Sequence, residues 1–124
     1  MKRILMIIAL FSFTLNWAQD KNAKASFEVD GVCMMCKFRI EKAAIKTKGV
    51  KTANWNVETH VLDLVYDEGK TDLTTIKGNI AAVGHDNDEF TATLEAYESV
   101  DDCCRYRDEK VVKDHQGGKK KGGH

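Results

Sequence analysis

The chain has 124 residues, with 19 lysines and arginines against 19 aspartates and glutamates and a formal net charge of zero. A chain of this length builds one domain with a modest core. So even a charge balance argues against a nucleic-acid partner, which calls for a clearly basic face.

The chain opens on Lys2 and Arg3, runs through the apolar stretch Ile4-Leu5-Met6-Ile7-Ile8-Ala9-Leu10-Phe11, and reaches Asn16-Trp17-Ala18. A charged start, a short apolar core and a small residue at the cut form the layout of a secretory signal peptide. Cleavage is expected after Ala18, although Asn16 is larger than usual two positions before a cut. The apolar core falls short of the roughly 20 residues that span a bilayer, so no membrane span is expected after cleavage. Removing Lys2 and Arg3 from the 19 basic residues leaves 17 against 19 acidic ones. A periplasmic or secreted product follows.

Residues 19–25 are polar and read as a flexible lead-in. Ser26-Phe27-Glu28-Val29-Asp30 alternates apolar and polar, the period of a half-buried strand. Gly31 marks a turn. From Cys36 the spacing becomes helical, with Ile40, Ala43, Ala44 and Thr47 on one face and Gly49 as the stop. Val50 to Val57 and Val61 to Tyr66 read as strands joined through Glu58-Thr59-His60. Thr71 or Asp72 caps a second helix, whose stripe is Leu73, Ile76, Ile80 and Val83 and whose end is Gly84. Gly78 weakens that helix by roughly 1 kcal/mol relative to alanine. A last strand is expected over Glu89 to Ala96.

Strand, helix, strand, strand, helix, strand is the order of a ferredoxin-like α+β sandwich, a four-stranded antiparallel sheet with both helices on one face. Residues 97–124 form an extension. It carries Cys103-Cys104 and ends in a histidine-, glycine- and lysine-rich tail with no apolar period, which predicts disorder.

Four cysteines in an exported chain first suggest disulfides. Their spacing points elsewhere, because Cys33 with Cys36 and Cys103 with Cys104 are two tight pairs far apart in sequence. Paired cysteines look like metal ligands or a redox couple. Cys33 lies in the loop after the first strand and Cys36 at the mouth of the first helix. Free amides there favour negative charge, so thiol pKa values should fall, with Lys37 and Arg39 adding to the effect. Two thiolates in this spacing can close on one soft ion, copper(I) or mercury(II), with zinc and cadmium as further possibilities. Two sulfurs are too few for a closed zinc site, which takes four ligands. Either of Met34 and Met35 could assist copper(I), but the reading preferred is that one packs and one is exposed. Lys37, Arg39 and Lys42 would steer a partner. Neighbouring cysteines seldom bridge each other. Cys103-Cys104 therefore has three open readings: a second soft-ligand pair folding back on the first, a disulfide with Cys33 or Cys36, or a separate site.

The segment Val29-Asp30-Gly31-Val32-Cys33-Met34-Met35-Cys36, followed by Ile40-Glu41-Lys42-Ala43, Gly49-Val50, Leu64-Val65-Tyr66-Asp67 and Ala82-Val83-Gly84-His85, carries a resemblance. Residues 26–96 resemble a heavy-metal-associated domain, the module of copper chaperones, metal-pumping ATPase N-termini and periplasmic mercury-binding proteins. The resemblance implies that Cys33 and Cys36 bind the metal. It also sets His85 in a loop beside the cysteine loop, as a third ligand, a charge partner or an exposed turn residue. Cys103-Cys104-Arg105-Tyr106-Arg107 resembles the trailing Cys-Cys of an exported subgroup, which favours added ligation. One departure stands out: the family motif reads Gly-Met-x-Cys, whereas Gly31-Val32 here runs straight into Cys33.

The function expected is a metal carrier, copper(I) first, exchanging its ion with a metal-transporting or metal-accepting protein and catalysing nothing. A mercury or cadmium resistance protein would use the same residues. The competing class is a thiol–disulfide oxidoreductase. The chain contains no proline, which removes the cis-proline that faces a thioredoxin-like active site.

Overall fold

The computed structural model describes residues 19–121, and side chains through residue 115. Strand β1 (Ala23–Glu28) runs antiparallel to β3 (Val61–Tyr66), in register from Ala23 opposite Tyr66 to Glu28 opposite Val61. Strand β2 (Val50–Trp55) pairs antiparallel with the other edge of β3, giving the order β1-β3-β2. Residues 23–25, expected to be part of a flexible lead-in, belong to β1, because Lys24 and Ala25 find Val65 and Leu64 across the ladder. Val29 and Asp30, expected in that strand, leave it: their amides donate to the carbonyls of His60 and Asp86.

Helices α1 (Met34–Lys46) and α2 (Leu73–Ala82) cover one face of the sheet. The stripe of α1 is as the spacing predicts, with Ile40, Ala43, Ala44 and Thr47 all buried. The helix starts two residues ahead of Cys36, with Cys33 as its extended N-cap residue. Asp72 caps α2 by accepting the Thr75 amide at 2.7 Å. Gly49 and Gly84 follow the two helices at φ of 103° and 105°, where a side chain would be strained. Thr47 ties the helices together, donating to the Ala43 carbonyl and accepting from the Asn79 amide.

Phe27, Val29, Ile40, Trp55, Leu62, Leu64, Ile76 and Ile80 form the centre of the core. Each fully buried aliphatic side chain contributes about 1.5–3 kcal/mol. Trp55 is also satisfied as a polar group, its indole N–H donating to the carbonyls of Val29 and His60.

The ferredoxin-like α+β class holds, with a difference at its fourth strand. Among the described residues, the segment expected as a strand over Glu89 to Ala96 makes no ladder. The nearest pairing is one isolated bridge just ahead of it, between Val29 and Asn87. Local side-chain bonds take the place of the ladder. Asn87 accepts the amides of Glu89 and Phe90, and Asp86 accepts that of Ala92. Lys77, nearly buried over the Phe27 ring, draws in Asp88 at 3.0 Å and Glu89. Thr93 then caps the short helix α3 (Leu94–Glu98).

A 3₁₀ turn (Asp102–Cys104) and helix α4 (Glu109–Lys121) complete the described residues. The tail expected to be disordered is thus helical as far as Lys121. Asp108 accepts the Lys110 amide at its start, and Val111 and Val112 are half-buried. Residues 1–18, where the signal peptide is expected, and His124 lie outside the described residues. No helix among the described residues is long and apolar enough to cross a membrane.

Candidate metal centre

The cysteine loop is set by what lies under it. A Cβ placed on Gly31 would fall 2.9 Å from the Trp55 ring and 3.0 Å from the Cys36 Cβ, so only glycine lets the chain pass here. Trp55 thereby supports the loop from below, where the shorter motif lacks its methionine. Cys33 follows with extended backbone as the N-cap of α1, and its side chain makes no capping bond. The sulfur is left free. Cys36, one turn on, is fully buried and accepts the Val32 amide at 3.5 Å.

The two sulfurs of the motif stand 3.4 Å apart. The 3₁₀ turn brings the second pair onto them. Cys33 Sγ lies 3.0 Å from Cys104 Sγ and 3.7 Å from Cys103 Sγ, and the latter two are 3.9 Å apart. Cys36 Sγ also approaches the Cys104 carbonyl at 3.9 Å. All four thiols are free; Cys33, Cys36 and Cys104 are buried and Cys103 is exposed. Of the three readings open for Cys103-Cys104, the folded chain takes the first geometry, a second pair lying back on the first.

These spacings suit a shared ion. With metal–sulfur bonds of about 2.3 Å, sulfurs around one tetrahedral ion sit about 3.8 Å apart, and around a trigonal one about 4.0 Å. Burial raises the Cys104 thiol far above its ordinary value, with Cys33 and Cys36 beside it adding to the effect; Cys103 is raised for the same first reason. Both are neutral in the metal-free protein. An ion must displace their protons to bind them.

His85 does not enter the sulfur set among the described residues. It is fully buried, and its Nδ1–H donates to the Asp30 carbonyl at 2.8 Å, which leaves Nε2 as an unpartnered lone pair. Burial lowers its pKa from 6.5 to about 4, so the ring is neutral. Its work is to bind the base of the cysteine loop to the trailing segment, because Tyr106 stacks on it at 5.5 Å.

That trailing segment is latched by residues to which the sequence reading gave no role. Tyr106 Oη donates to the Gly84 carbonyl at 2.6 Å and accepts the Asp86 amide at 3.0 Å. Arg107 pairs with Asp86 at 2.7 Å, donates to the Ala92 carbonyl and lies 4.3 Å over the Tyr97 ring. The only hint in the sequence was the Arg-Tyr-Arg run after the two cysteines.

Two expectations about the rim need correction. Lys37 and Arg39 are internal braces rather than steering charges: Lys37 holds Glu41, Asn54 and the Trp55 carbonyl, and Arg39 reaches the Val83 and Ser99 carbonyls. Lys42 remains exposed. Met34 and Met35 are both outside, 59% and 52% exposed, and with Phe38 at 75% they make the rim apolar.

A sulfur cluster at the mouth of the first helix of an α+β sandwich defines a class of soft-metal-binding modules. Residues 26–86 match the model of the heavy-metal-associated domain, and through them the chain belongs to that family. A copper-exporting P-type ATPase of Staphylococcus haemolyticus is 41% identical over 64 residues, 51% of this chain and 8% of that protein. The chain thus spans a small fraction of that relative's length. Among solved structures, the CopZ metallochaperone is similar at 29% identity and a TM-score of 0.51, over 52% of this chain and 98% of that one. The N-terminal domain of a potential copper-translocating P-type ATPase from Bacillus subtilis, in its Cu(I)-loaded state, is 27% identical with a TM-score of 0.51, over 53% and 84%. Oxidized MerP from Ralstonia metallidurans shares the fold at 24% identity and a TM-score of 0.52, over 54% of this chain and 94% of that one.

Proposed function

We propose that this protein is an exported carrier of a soft metal ion, copper(I) before mercury(II), zinc or cadmium, held through Cys33 and Cys36 with Cys104 and Cys103 in the same donor set. The observation that carries the reading is the convergence of four thiols, three of them around Cys33, on a heavy-metal-associated fold. Thiolate sulfur is soft and selects copper(I) and its neighbours over calcium or magnesium. The copper-handling relatives support copper as the cargo and a metal transporter or acceptor as the partner. Residues 1–18 would direct export and be removed, leaving the domain and its cysteine-bearing extension in the periplasm or outside the cell.

Transfer needs a route by which a partner's sulfur reaches the ion. Cys103 is exposed, and the rim of Met34, Met35 and Phe38 offers an apolar landing surface beside it. Donor and acceptor cysteines would then share the ion in passing, with no chemical bond of a substrate made or broken.

The test is transfer. Copper(I)-loaded protein is mixed with the metal-free N-terminal domain of a copper ATPase, and the copper content of each is measured after separation. Copper should pass to the acceptor, and Cys33→Ser protein should carry none. Metal-independent turnover of glutathione disulfide at a rate typical of thiol oxidoreductases, with no copper passed on, would favour the redox reading instead.

A further inference from the structure

The sulfurs are not arranged as four equal corners. Cys33 and Cys104 lie at the centre, 3.0 Å apart. Cys36 adjoins this pair from the protein side, at 3.4 Å from Cys33 and 3.9 Å from the Cys104 carbonyl. Cys103 adjoins it from the solvent side, at 3.7 Å from Cys33 and 3.9 Å from Cys104. No hydrogen-bonding approach joins Cys36 to Cys103, and the mutually close set is Cys33, Cys103 and Cys104. One tetrahedral ion would want all six sulfur–sulfur edges near about 3.8 Å. Cys33 and Cys104 are instead common to an inner group with Cys36 and an outer group with Cys103.

We infer that the site holds two copper(I) ions at once, with the Cys33 and Cys104 sulfurs bridging both, Cys36 completing the inner ion and Cys103 the outer one. The inference rests on the copper reading above and extends it to capacity and order. A thiolate sulfur has more than one lone pair to offer and can bind two soft cations. Loading is balanced as four thiols and two copper(I) ions giving one four-thiolate, two-copper centre of charge −2 and four released protons, with no change of oxidation state. The two positions differ in access: Cys36 is fully buried, whereas Cys103 is exposed. The outer ion is therefore the one that enters last and leaves first, and the inner ion is retained. A protein loaded in this way stores as well as delivers.

The experiment is a titration of the reduced full-length chain with copper(I), followed by native mass spectrometry, with X-ray absorption at the copper edge on the saturated sample. Saturation at two ions per monomer with copper–copper scattering is expected. Cys103→Ser, a change at an exposed position, should saturate at one ion and lose that scattering. Saturation of the wild type at one ion overturns the inference and leaves the carrier reading standing; no binding at all defeats both. Two ions retained in Cys103→Ser, or a second ion taken up only by a dimer, also overturns it.

Discussion

Gly31, Trp55 and His85 hold the cysteine loop from three directions, and each does so by a contact that can be removed. Replacing Gly31 by alanine would drive a methyl group against the Trp55 ring at 2.9 Å. Overpacking of this kind costs about 1–3 kcal/mol. We expect the chemical denaturation midpoint of Gly31→Ala to fall accordingly, with weaker copper(I) retention. His85 supplies a pH dependence whose sign is fixed by its depressed pKa. The unfolded chain binds the proton near pH 6.5 and the folded one near pH 4. The stability of metal-free protein is therefore full above 6.5 and falls as pH drops towards 4, by up to about 3 kcal/mol. Asp30, Asp86, Arg39 and Tyr106 face the ring or its partner, and burial raises the Asp30 carboxyl, which opposes the trend in its own range. His85→Gln isolates the effect: its stability between pH 4 and 6.5, read by denaturation, should be nearly flat beside that of the wild type. An unchanged slope would remove His85 as the cause.

At the level of elements, the decisive departure from a regular sandwich is the segment after α2. Its alternation of Phe90, Ala92, Leu94 and Ala96 with Thr91, Thr93 and Glu95 is a strand pattern, and nothing in that pattern reveals that Asp86, Asn87 and Thr93 will capture the backbone amides. The helices were readable because their information is local: apolar spacing, Asp72 as a cap and a glycine at each end. The meeting of Cys33 with Cys104 is not local. It depends on Arg107 finding Asp86 and on Tyr106 finding Gly84, contacts across about 20 residues that no periodicity records. The motif cysteines could be read from their spacing, and the trailing pair only as one possibility among three. Tyr106→Phe tests the latch. It removes a hydrogen bond to the Gly84 carbonyl and leaves the Asp86 amide without its acceptor, at a cost of about 1–3 kcal/mol. The turn should loosen, and Cys104 should be alkylated several-fold faster than in the wild type while Cys36 is unchanged. Equal rates at Cys104 would show that the turn is held by other means.

For the whole molecule, the fold places an apolar rim, an exposed thiol and a buried thiol in series, the order that the proposed passage of a soft ion requires. The proposed export predicts that residues 1–18 are removed, and intact mass of protein recovered from the producing cell should then correspond to a chain beginning at Gln19. The most direct measurement of the central claim is equilibrium competition for copper(I) between the reduced protein and a chromophoric chelator, with Cys33→Ser and Cys36→Ser alongside. The wild type should take the ion from the chelator. Each variant should lose at least about a hundredfold in affinity, more than the loss of a mere supporting contact around a metal. Affinity unchanged in Cys36→Ser would contradict the assignment.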